Sequence, residues 1–328
     1  MNSLLNSALN GAEHEQVPVW FMRQAGRYMP SYRKMRKNFS MEEICHSPQM
    51  AAEITHDAAH YLGVDAAIIF SDIMIPLENL GYRIKYVENV GPIPERTGNI
   101  REMYKSEASS AIRYFRSRYQ DLPVIGFIGG PLTIASYIIA GGPDRELRKT
   151  KELILTDEDN FRTLMNEVVK ISLNEAREQI LAGAAAIQIF DSWLGFLDPV
   201  ISEYIILDFV KKIVDGIKKL RGKSIYFTTG TSGFVEALTL CGADVLSLDW
   251  RCSLGDVHSA YPNMGLQGNL DPVILAKSLS KSVERSVMIM KEMQDFNRYI
   301  FNLGHGILPE TDPGNVRSLV KKLKEIKL

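Results

Sequence analysis

Two arginines directly behind an apolar run are the feature of this 328-residue chain that points most clearly to chemistry. Residues 17–22 are mostly apolar and predict a short buried strand, and Arg23 and Arg27 follow in a turn that contains Gly26. A guanidinium keeps its charge, and its planar fork pairs with carboxylate or phosphate. Two such groups at the mouth of a buried strand predict an anion site, with Arg36 on the helix that follows.

Polar residues behind other apolar runs could also serve a ligand. Asp72 lies between two apolar segments, where a carboxylate needs donors from a ligand or from the protein, as at a helix cap. The glycine-rich loop 126–137 lets the backbone approach a ligand closely, and a helix is expected to begin near Pro131. Tyr137 then lies about two turns into that helix and faces either the ligand or the core.

Two further candidates are a serine and a histidine. Ser192 follows Asp191 outside any GxSxG elbow, which favours a hydrogen-bond donor over a nucleophile. His305 stands between two glycines after the last apolar run, where either a structural or a functional role is open. The histidines are dispersed, and neither HExxH nor His-x-Cys occurs, so we expect no metal site.

The composition narrows the class of protein. A formal net charge of −1 gives no basic surface for nucleic acid or an acidic membrane, and no apolar run approaches the ~18 residues of a membrane helix. The three cysteines form no CxxC pair, and the opening segment does not read as a signal peptide, which favours reduced thiols in the cytosol. We therefore expect a soluble cytoplasmic protein.

Eight apolar runs alternate with segments of helical spacing, which predicts parallel strands joined by helical crossovers. The runs are residues 17–22, 66–70, 124–128, 185–190, 225–228, 245–248, 265–268 and 299–303. Eight such units favour a single (β/α)8 TIM barrel over residues 1–328, with residues 1–16 as a peripheral segment. An open doubly wound sheet is the alternative, although no GxGxxG follows any run. In a barrel, the polar residues behind the runs meet at one face.

Several segments carry a resemblance to a known family. PVWFMRQAGRYMPSYRKMR and GFIGGPLTIASY closely resemble the two signature regions of uroporphyrinogen decarboxylase, and AAIIFSDI, QIFDSW and FNLGHGILPETDP are similar to further family segments in the same order. The resemblance implies a single (β/α)8 barrel, usually a homodimer, that works without cofactor or metal. Its implied reaction converts the four acetate side chains of uroporphyrinogen III to methyls in haem biosynthesis. One departure is IYFTTG at residues 225–230, where bacterial members often carry a lysine; Thr229 stands near that place.

The resemblance also implies roles for individual residues. Asp72 would accept the pyrrole N–H groups and stabilise the cation that forms when the ring is protonated, with Arg23 and Tyr137 as the other catalytic residues. The substrate-binding residues would be Arg23, Gln24, Arg27, Arg36, Asp72, Tyr137, Ser192 and His305. The identity of the proton donor stays open, since a guanidinium is a poor acid unless its pKa is lowered.

Two other functions compete with this one. Cobalamin- and thiol-dependent methyltransferases resemble the same barrel but hold zinc with a His-x-Cys near the strand that here reads IYFTTG. A non-enzymatic carrier of tetrapyrroles or other polyanions would need the arginines, but in it Asp72 would only repel the ligand. Asp72 therefore separates an enzyme from a carrier.

Overall fold

The computed structural model describes residues 3–88, 90–144 and 146–326. Its strands are β1 (Ala67–Ile68), β2 (Tyr82–Val87), β3 (Gly91–Arg96), β4 (Val124–Gly129), β5 (Ile187–Phe190), β6 (Ser224–Phe227), β7 (Val245–Ser247), β8 (Gly265–Leu270) and β9 (Tyr299–Leu303). Its helices are α1 (Leu4–Asn10), α2 (Pro30–Asn38), α3 (Met41–His46), α4 (Pro48–Leu62), α5 (Glu107–Arg118), α6 (Pro131–Ala140), α7 (Arg148–Thr156), α8 (Glu158–Leu181), α9 (Pro199–Ile205), α10 (Lys211–Lys219), α11 (Val235–Leu240), α12 (Leu254–Ala260), α13 (Pro272–Lys277), α14 (Leu279–Glu292) and α15 (Pro313–Lys324).

Seven strands form one curled parallel sheet in the order β1-β4-β5-β6-β7-β8-β9, with helices between successive strands. Every pairing in this sheet is parallel, and the strands β4 and β6 to β9 are buried along their whole length. Strands covered on both faces read as continuous apolar runs, which is why their positions could be predicted. The architecture confirms the predicted (β/α)8 TIM-barrel class.

The predicted first strand is reduced to a single bridge. Val19 pairs in parallel with Phe301 of β9, and on its other side its carbonyl accepts the Asp65 N–H at 2.8 Å. The segment thus stands between β9 and β1, where an eighth strand would close the ring. A regular ladder does not form because side chains occupy the amides: Asp65 Oδ2 accepts from Val19, Gln24 Oε1 from Phe21 and Asn302 Oδ1 from Met22.

Strand β8, whose sequence GLQGNL is the least strand-like of the eight, is nevertheless fully buried. Its Gln267 points into the barrel, where Nε2 donates to Ser247 Oγ at 2.8 Å and to Gln188 Oε1 at 3.1 Å. Gln267 Oε1 accepts from the Trp20 indole at 3.0 Å. A buried amide with partners of this kind costs little, so the polar residue is compatible with a core strand.

A two-stranded antiparallel hairpin, β2 and β3, lies outside the barrel sheet and was not predicted. Its strands are half exposed, with only Ile84 and Pro94 buried, so the apolar signal that located the barrel strands is missing. The helix expected to begin near Pro131 is confirmed as α6, and α8 covers residues 160–181, where the apolar spacing predicts a helix.

The N-terminal residues contribute to the core. Helix α1 buries Leu5, Ala8 and Leu9 and contacts β9. Its first turn is capped by Ser3, and Gly11 ends it in the left-handed conformation. Among the described residues, no helix is long and apolar enough to cross a membrane.

Candidate active site

A cavity of about 530 Å³ opens where the strands end. Its walls come from residues directly behind β1, β5 and β9, together with the turn that follows residues 17–22. The carboxyl ends of barrel strands are the usual place for an active site. Seven of the eight predicted site residues line this cavity: Arg23, Gln24, Arg27, Asp72, Tyr137, Ser192 and His305.

Arg23 projects into the cavity from a strained turn. Its φ of +61° is left-handed, which costs a residue with a side chain roughly 1–2 kcal/mol. The absence of a side chain at Gly306 makes room for it, because a Cβ there would lie 2.7 Å from Arg23 Cγ. The Arg23 side chain is exposed to the cavity, and the remaining walls of that cavity are protein, so little bulk solvent surrounds the guanidinium. This burial, and next the charge of Arg27, lowers the pKa of Arg23.

Gln24 is buried, and one of its polar atoms lacks a hydrogen-bond partner. Its Oε1 accepts the Phe21 N–H at 2.9 Å, which fixes the amide plane. Its Nε2 is enclosed and has no hydrogen-bond partner among the described residues. A buried amide without a partner costs free energy, so a ligand acceptor placed in this wall of the cavity would be favoured.

The turn that carries Arg27 is held by its neighbours. The Tyr28 hydroxyl donates to the Gln24 carbonyl at 2.6 Å, and Arg33 donates to the carbonyls of Arg27 and Tyr28 at 3.0 and 2.6 Å. Arg27 itself has an exposed side chain at the cavity wall. Because the surrounding backbone is fixed, the charge is available to a ligand without reordering the turn.

Arg36 is the predicted site residue that the structure does not bring to the cavity wall. It lies on α2, and its guanidinium donates to the Phe39 carbonyl at 2.5 Å. Its charge is felt by Tyr32, which does line the cavity, and it lowers the pKa of that hydroxyl against the larger effect of burial. Arg36 therefore lies close to the cavity without lining it.

Asp72 forms part of the cavity floor. It follows β1 directly, and its Oδ1 accepts the Met74 N–H at 2.8 Å. No residue in the described part of the chain donates to Oδ2. Protein surrounds the carboxyl on the sides away from the cavity, and this burial raises its pKa to about 6 against the opposing effects of the Met74 amide and Arg23. The group can thus be ionised at neutral pH and still lacks donors that a ligand can supply.

Tyr137 and His305 stand on other walls. The Tyr137 ring stacks on Trp193 at 4.6 Å between centroids, and burial, followed by the charge of Asp72, raises its pKa to about 12. His305 Nδ1 accepts the Gly306 N–H at 2.7 Å, so in the neutral ring the proton belongs on Nε2. Burial and the nearby Arg23 lower the pKa of His305 to about 4, which makes it a neutral donor at physiological pH.

Ser192 lines the cavity, whereas its neighbours hold the framework. Asp191 is fully buried and accepts from the backbone and the hydroxyl of Thr133, both at 2.8 Å, which fixes the start of α6. The Thr229 hydroxyl donates to the Ser192 carbonyl at 2.7 Å. Thr229, at the place where a lysine is often found in the resembling family, does not line the cavity.

Two further polar residues behind strands, Asp249 and Asn269, do not line the cavity, contrary to the expectation that such residues all meet there. Asp249 accepts from the Gly230 N–H at 2.6 Å and from the Arg251 side chain. Asn269 donates to the carbonyls of Asp249 and Cys252 at 2.9 and 2.7 Å. Both side chains tie one loop to the next, a role that their position behind a strand does not distinguish from ligand binding.

Sequence reasoning missed the apolar walls and the rim. Phe70, Phe127, Phe190 and Phe227 line the interior, and Val90 to Pro92 reach the cavity from the tip of the β2–β3 hairpin. The alternation of Tyr82, Ile84 and Tyr86 is the signal that would have indicated the hairpin. Among the residues that the structure describes, no group of three or more His, Cys, Asp or Glu side chains is arranged to hold a metal ion.

The family model and the curated relatives that match this chain agree on one family. Residues 1–326 match the family model of uroporphyrinogen decarboxylase. The uroporphyrinogen decarboxylase of Thermoplasma acidophilum is 40% identical, with 98% of each chain covered. That of Aquifex aeolicus is 36% identical, covering 100% of this chain and 99% of the relative.

Solved structures add a likeness of fold. A methyltransferase from Methanosarcina mazei superposes with a TM-score of 0.78 at 18% identity, covering 98% of both chains. A B12-independent methionine synthase from Shewanella sp. W3-18-1 gives a TM-score of 0.59 at 13% identity, covering 87% of this chain and 89% of the other. At this level of identity the likeness concerns the fold alone.

Proposed function

The chain belongs to the uroporphyrinogen decarboxylase family, and on that premise we propose that it decarboxylates the four acetate side chains of uroporphyrinogen III to methyls, giving coproporphyrinogen III and carbon dioxide for haem biosynthesis. The enzyme is then a carboxy-lyase. We propose that it needs no cofactor or metal.

The observation that carries this proposal is a partly buried carboxylate opposite two cations in one cavity. Asp72 keeps Oδ2 without a donor, while Arg23 and Arg27 line the same space. A flexible tetrapyrrole matches both features, because its peripheral carboxylates can pair with the arginines and its central pyrrole N–H groups can donate to Asp72. A carrier of polyanions would gain from the arginines but would lose affinity through Asp72.

The binding roles follow from the free donors. Arg23 and Arg27 pair with substrate carboxylates, where charge-assisted hydrogen bonds are strongest. The Gln24 amide and His305 Nε2 donate to further carboxylate oxygens, because each holds a proton with its other polar atom already used. The Ser192 hydroxyl contributes from the wall behind β5. Arg36, which does not line the cavity, attracts the anionic substrate through its charge rather than through direct contact.

The chemical step is helped chiefly by electrostatics. An alkyl acetate releases carbon dioxide slowly because the remaining electron pair has no acceptor. Protonation of a pyrrole ring carbon creates that acceptor, and ionised Asp72 stabilises the developing cation through the pyrrole N–H groups. Arg23 and Tyr137 are the candidate proton donors in the cavity. Burial moves the pKa of Arg23 in the direction that a proton donor requires.

The test is anaerobic incubation of the purified protein with uroporphyrinogen III, followed by oxidation and chromatographic counting of carboxyl groups. Seven-, six-, five- and four-carboxyl products without added cofactor would establish the reaction. The matched variant is Asp72→Asn, which keeps the size of the side chain and removes its charge. An unchanged eight-carboxyl pool from folded wild-type protein that binds the substrate would instead support a carrier.

The family also suggests the assembly and setting of the enzyme. We propose a homodimer in the cytoplasm, built from one barrel domain over residues 1–328, with residues 1–16 as a segment peripheral to the barrel sheet whose helix α1 nevertheless adds Leu5, Ala8 and Leu9 to the core. The continuous hydrophobic core, which runs from Leu5 to Leu323, supports one domain. Sedimentation of the purified protein tests the dimer, and limited proteolysis tests the single domain.

A further inference from the structure

A small chamber lies directly behind the cavity floor. Its volume is about 10 Å³, which is at the lower limit for one water molecule. Ser71, Asp72 and Phe127 line both the chamber and the main cavity, so the floor is a thin partition between the two. The far side of the chamber is formed by Glu175 and Gln179 of α8.

Glu175 is a buried carboxylate that the proposed mechanism does not use. Its Oε1 accepts from Ser106 Oγ at 2.7 Å and from Gln179 Nε2 at 2.8 Å, and its Oε2 accepts from the Tyr104 hydroxyl at 2.6 Å. Within the described part of the chain, no cation lies within ion-pair distance of it. Burial raises the pKa of Glu175 despite these donors, and the nearby Glu178 acts in the same direction.

Part of the role of Glu175 is structural. The Ser106 hydroxyl that it holds also accepts the Ser109 N–H at 3.0 Å and so caps α5. A neutral glutamine could fix this loop at lower cost, because a buried ionisable group without a cation is expensive. A structural role also leaves unexplained why this carboxyl shares a chamber with Asp72.

The outer end of the hydrogen-bonded chain lies near the surface. Tyr104 is half-buried and stands between Met103, which is 83% exposed, and the exposed Lys105. Burial, and next the charge of Glu175, raises the pKa of the Tyr104 hydroxyl, and Arg101 acts in the opposite direction. A series of proton-bearing groups therefore leads from Tyr104, which lies near the surface, through Glu175 to the chamber that Asp72 lines.

The proposed reaction requires protons at the cavity floor. In each step the bond between the side-chain carbon and its carboxylate breaks, carbon dioxide leaves, and the electron pair passes into the protonated ring. The side-chain carbon then takes a proton from a donor in the wall, and the ring carbon loses its own. One net proton is consumed for each acetate, while the bound tetrapyrrole covers the cavity that would otherwise admit solvent.

We propose that Tyr104, Glu175 and one water in the chamber form a proton inlet to Asp72. Glu175 passes a proton to the water, which passes one to Asp72, and the Tyr104 hydroxyl refills Glu175 and is itself refilled from solvent. Asp72 then returns the proton to the spent donor and is ionised again before the next cation forms. This inference rests on the proposed decarboxylase function, with Glu175 as a positioning and relay group rather than a catalytic residue.

The decisive variant fills the chamber and leaves every relay group in place. Ala108 of α5 lines the chamber, so Ala108→Val removes the space for water. The control is Ala111→Val, at a buried position on the same helix that does not line the chamber. A positioned proton-transfer group contributes ~10²–10⁴ in rate, so we expect kcat of Ala108→Val to fall by about tenfold or more at unchanged KM.

The solvent deuterium isotope effect separates a relay from a structural role. In Ala108→Val and in Glu175→Gln, we expect this isotope effect on kcat to increase, because proton supply becomes rate-limiting. The Ala111→Val control should keep the wild-type value. If Ala108→Val does not fold, Tyr104→Phe supplies the same comparison, since it removes only the outer hydroxyl.

Wild-type kcat and an unchanged isotope effect in folded Ala108→Val, or in Tyr104→Phe where that variant replaces it, would overturn the inlet. Loss of activity through a raised KM alone would assign Glu175 to structure and overturn it equally. Failure of the wild-type protein to decarboxylate uroporphyrinogen would be a different result, because it contradicts the proposed function before any variant is compared.

Discussion

Gly306→Ala should damage the active site without disturbing the fold. Gly306 is not in the left-handed region, so alanine can adopt its backbone conformation. The added Cβ would lie 2.7 Å from Arg23 Cγ and 2.9 Å from Arg23 Nε, whereas ordinary contacts begin at 3.4 Å. Arg23 is the flexible partner, and it must retreat by about 1 Å. A misplacement of about 1 Å at a reacting or binding group costs about 10²-fold in rate.

The assay is kcat/KM for uroporphyrinogen III under anaerobic conditions, with the thermal midpoint measured in parallel. We expect kcat/KM to fall by about 10²-fold while the midpoint stays close to that of the wild type. The control is Gly233→Ala, because a Cβ at Gly233 meets nothing within 4 Å.

A double-mutant cycle shows whether the loss runs through Arg23. In the Arg23→Ala background the clash has no partner, so adding Gly306→Ala should change kcat/KM very little. Full additivity of the two losses would refute the reasoning, as would an unchanged kcat/KM in the single variant Gly306→Ala.

Three further outcomes are expected. Asp72 must be ionised to stabilise a cation, and burial raises its pKa to about 6, so kcat/KM should fall as pH drops through 6 and a profile that stays flat to pH 5 would contradict this role. Arg27→Ala should raise KM by about tenfold or more, since a hydrogen bond to a charged group contributes ~1.5–3 kcal/mol, and an unchanged KM measured at low salt would exclude the carboxylate contact. Because the sequence has no His-x-Cys near residues 225–230, dialysis against a chelator should leave activity intact, and its loss would revive the methyltransferase alternative.

The barrel could be predicted because its strands are buried on both faces and therefore read as apolar runs. The exceptions have local causes. Residues 17–22 form one bridge because side chains such as Asp65 take their amides, and a run of apolar letters carries no information about such partners. The hairpin strand Tyr82–Val87 was not predicted because most of it is open to solvent.

The candidate site was predictable to the extent that position behind a strand implies position at the cavity. This held for Asp72 and Ser192, which line it. It did not hold for Asp249 and Asn269, whose polar groups are used by neighbouring loops. Which way a side chain turns at a strand end depends on donors far away in the sequence, and a single sequence does not display them. The chamber behind Asp72 depends on the packing of α5 against α8 and has no sequence signature.

The fastening of residues 17–22 to β9 has a consequence for synthesis of the chain. Val19 bridges Phe301, the Met22 amide donates to Asn302, and the Met22 carbonyl accepts from Ile307 at 3.0 Å. The turn with Arg23 is thus held by residues that are synthesised about 280 positions later. A nascent chain has its arginines early but cannot fix them until residues 301–307 have been synthesised. A product that ends before those residues therefore has the proposed anion-binding arginines without the geometry of the cavity, and it is not expected to compete with the finished enzyme for substrate.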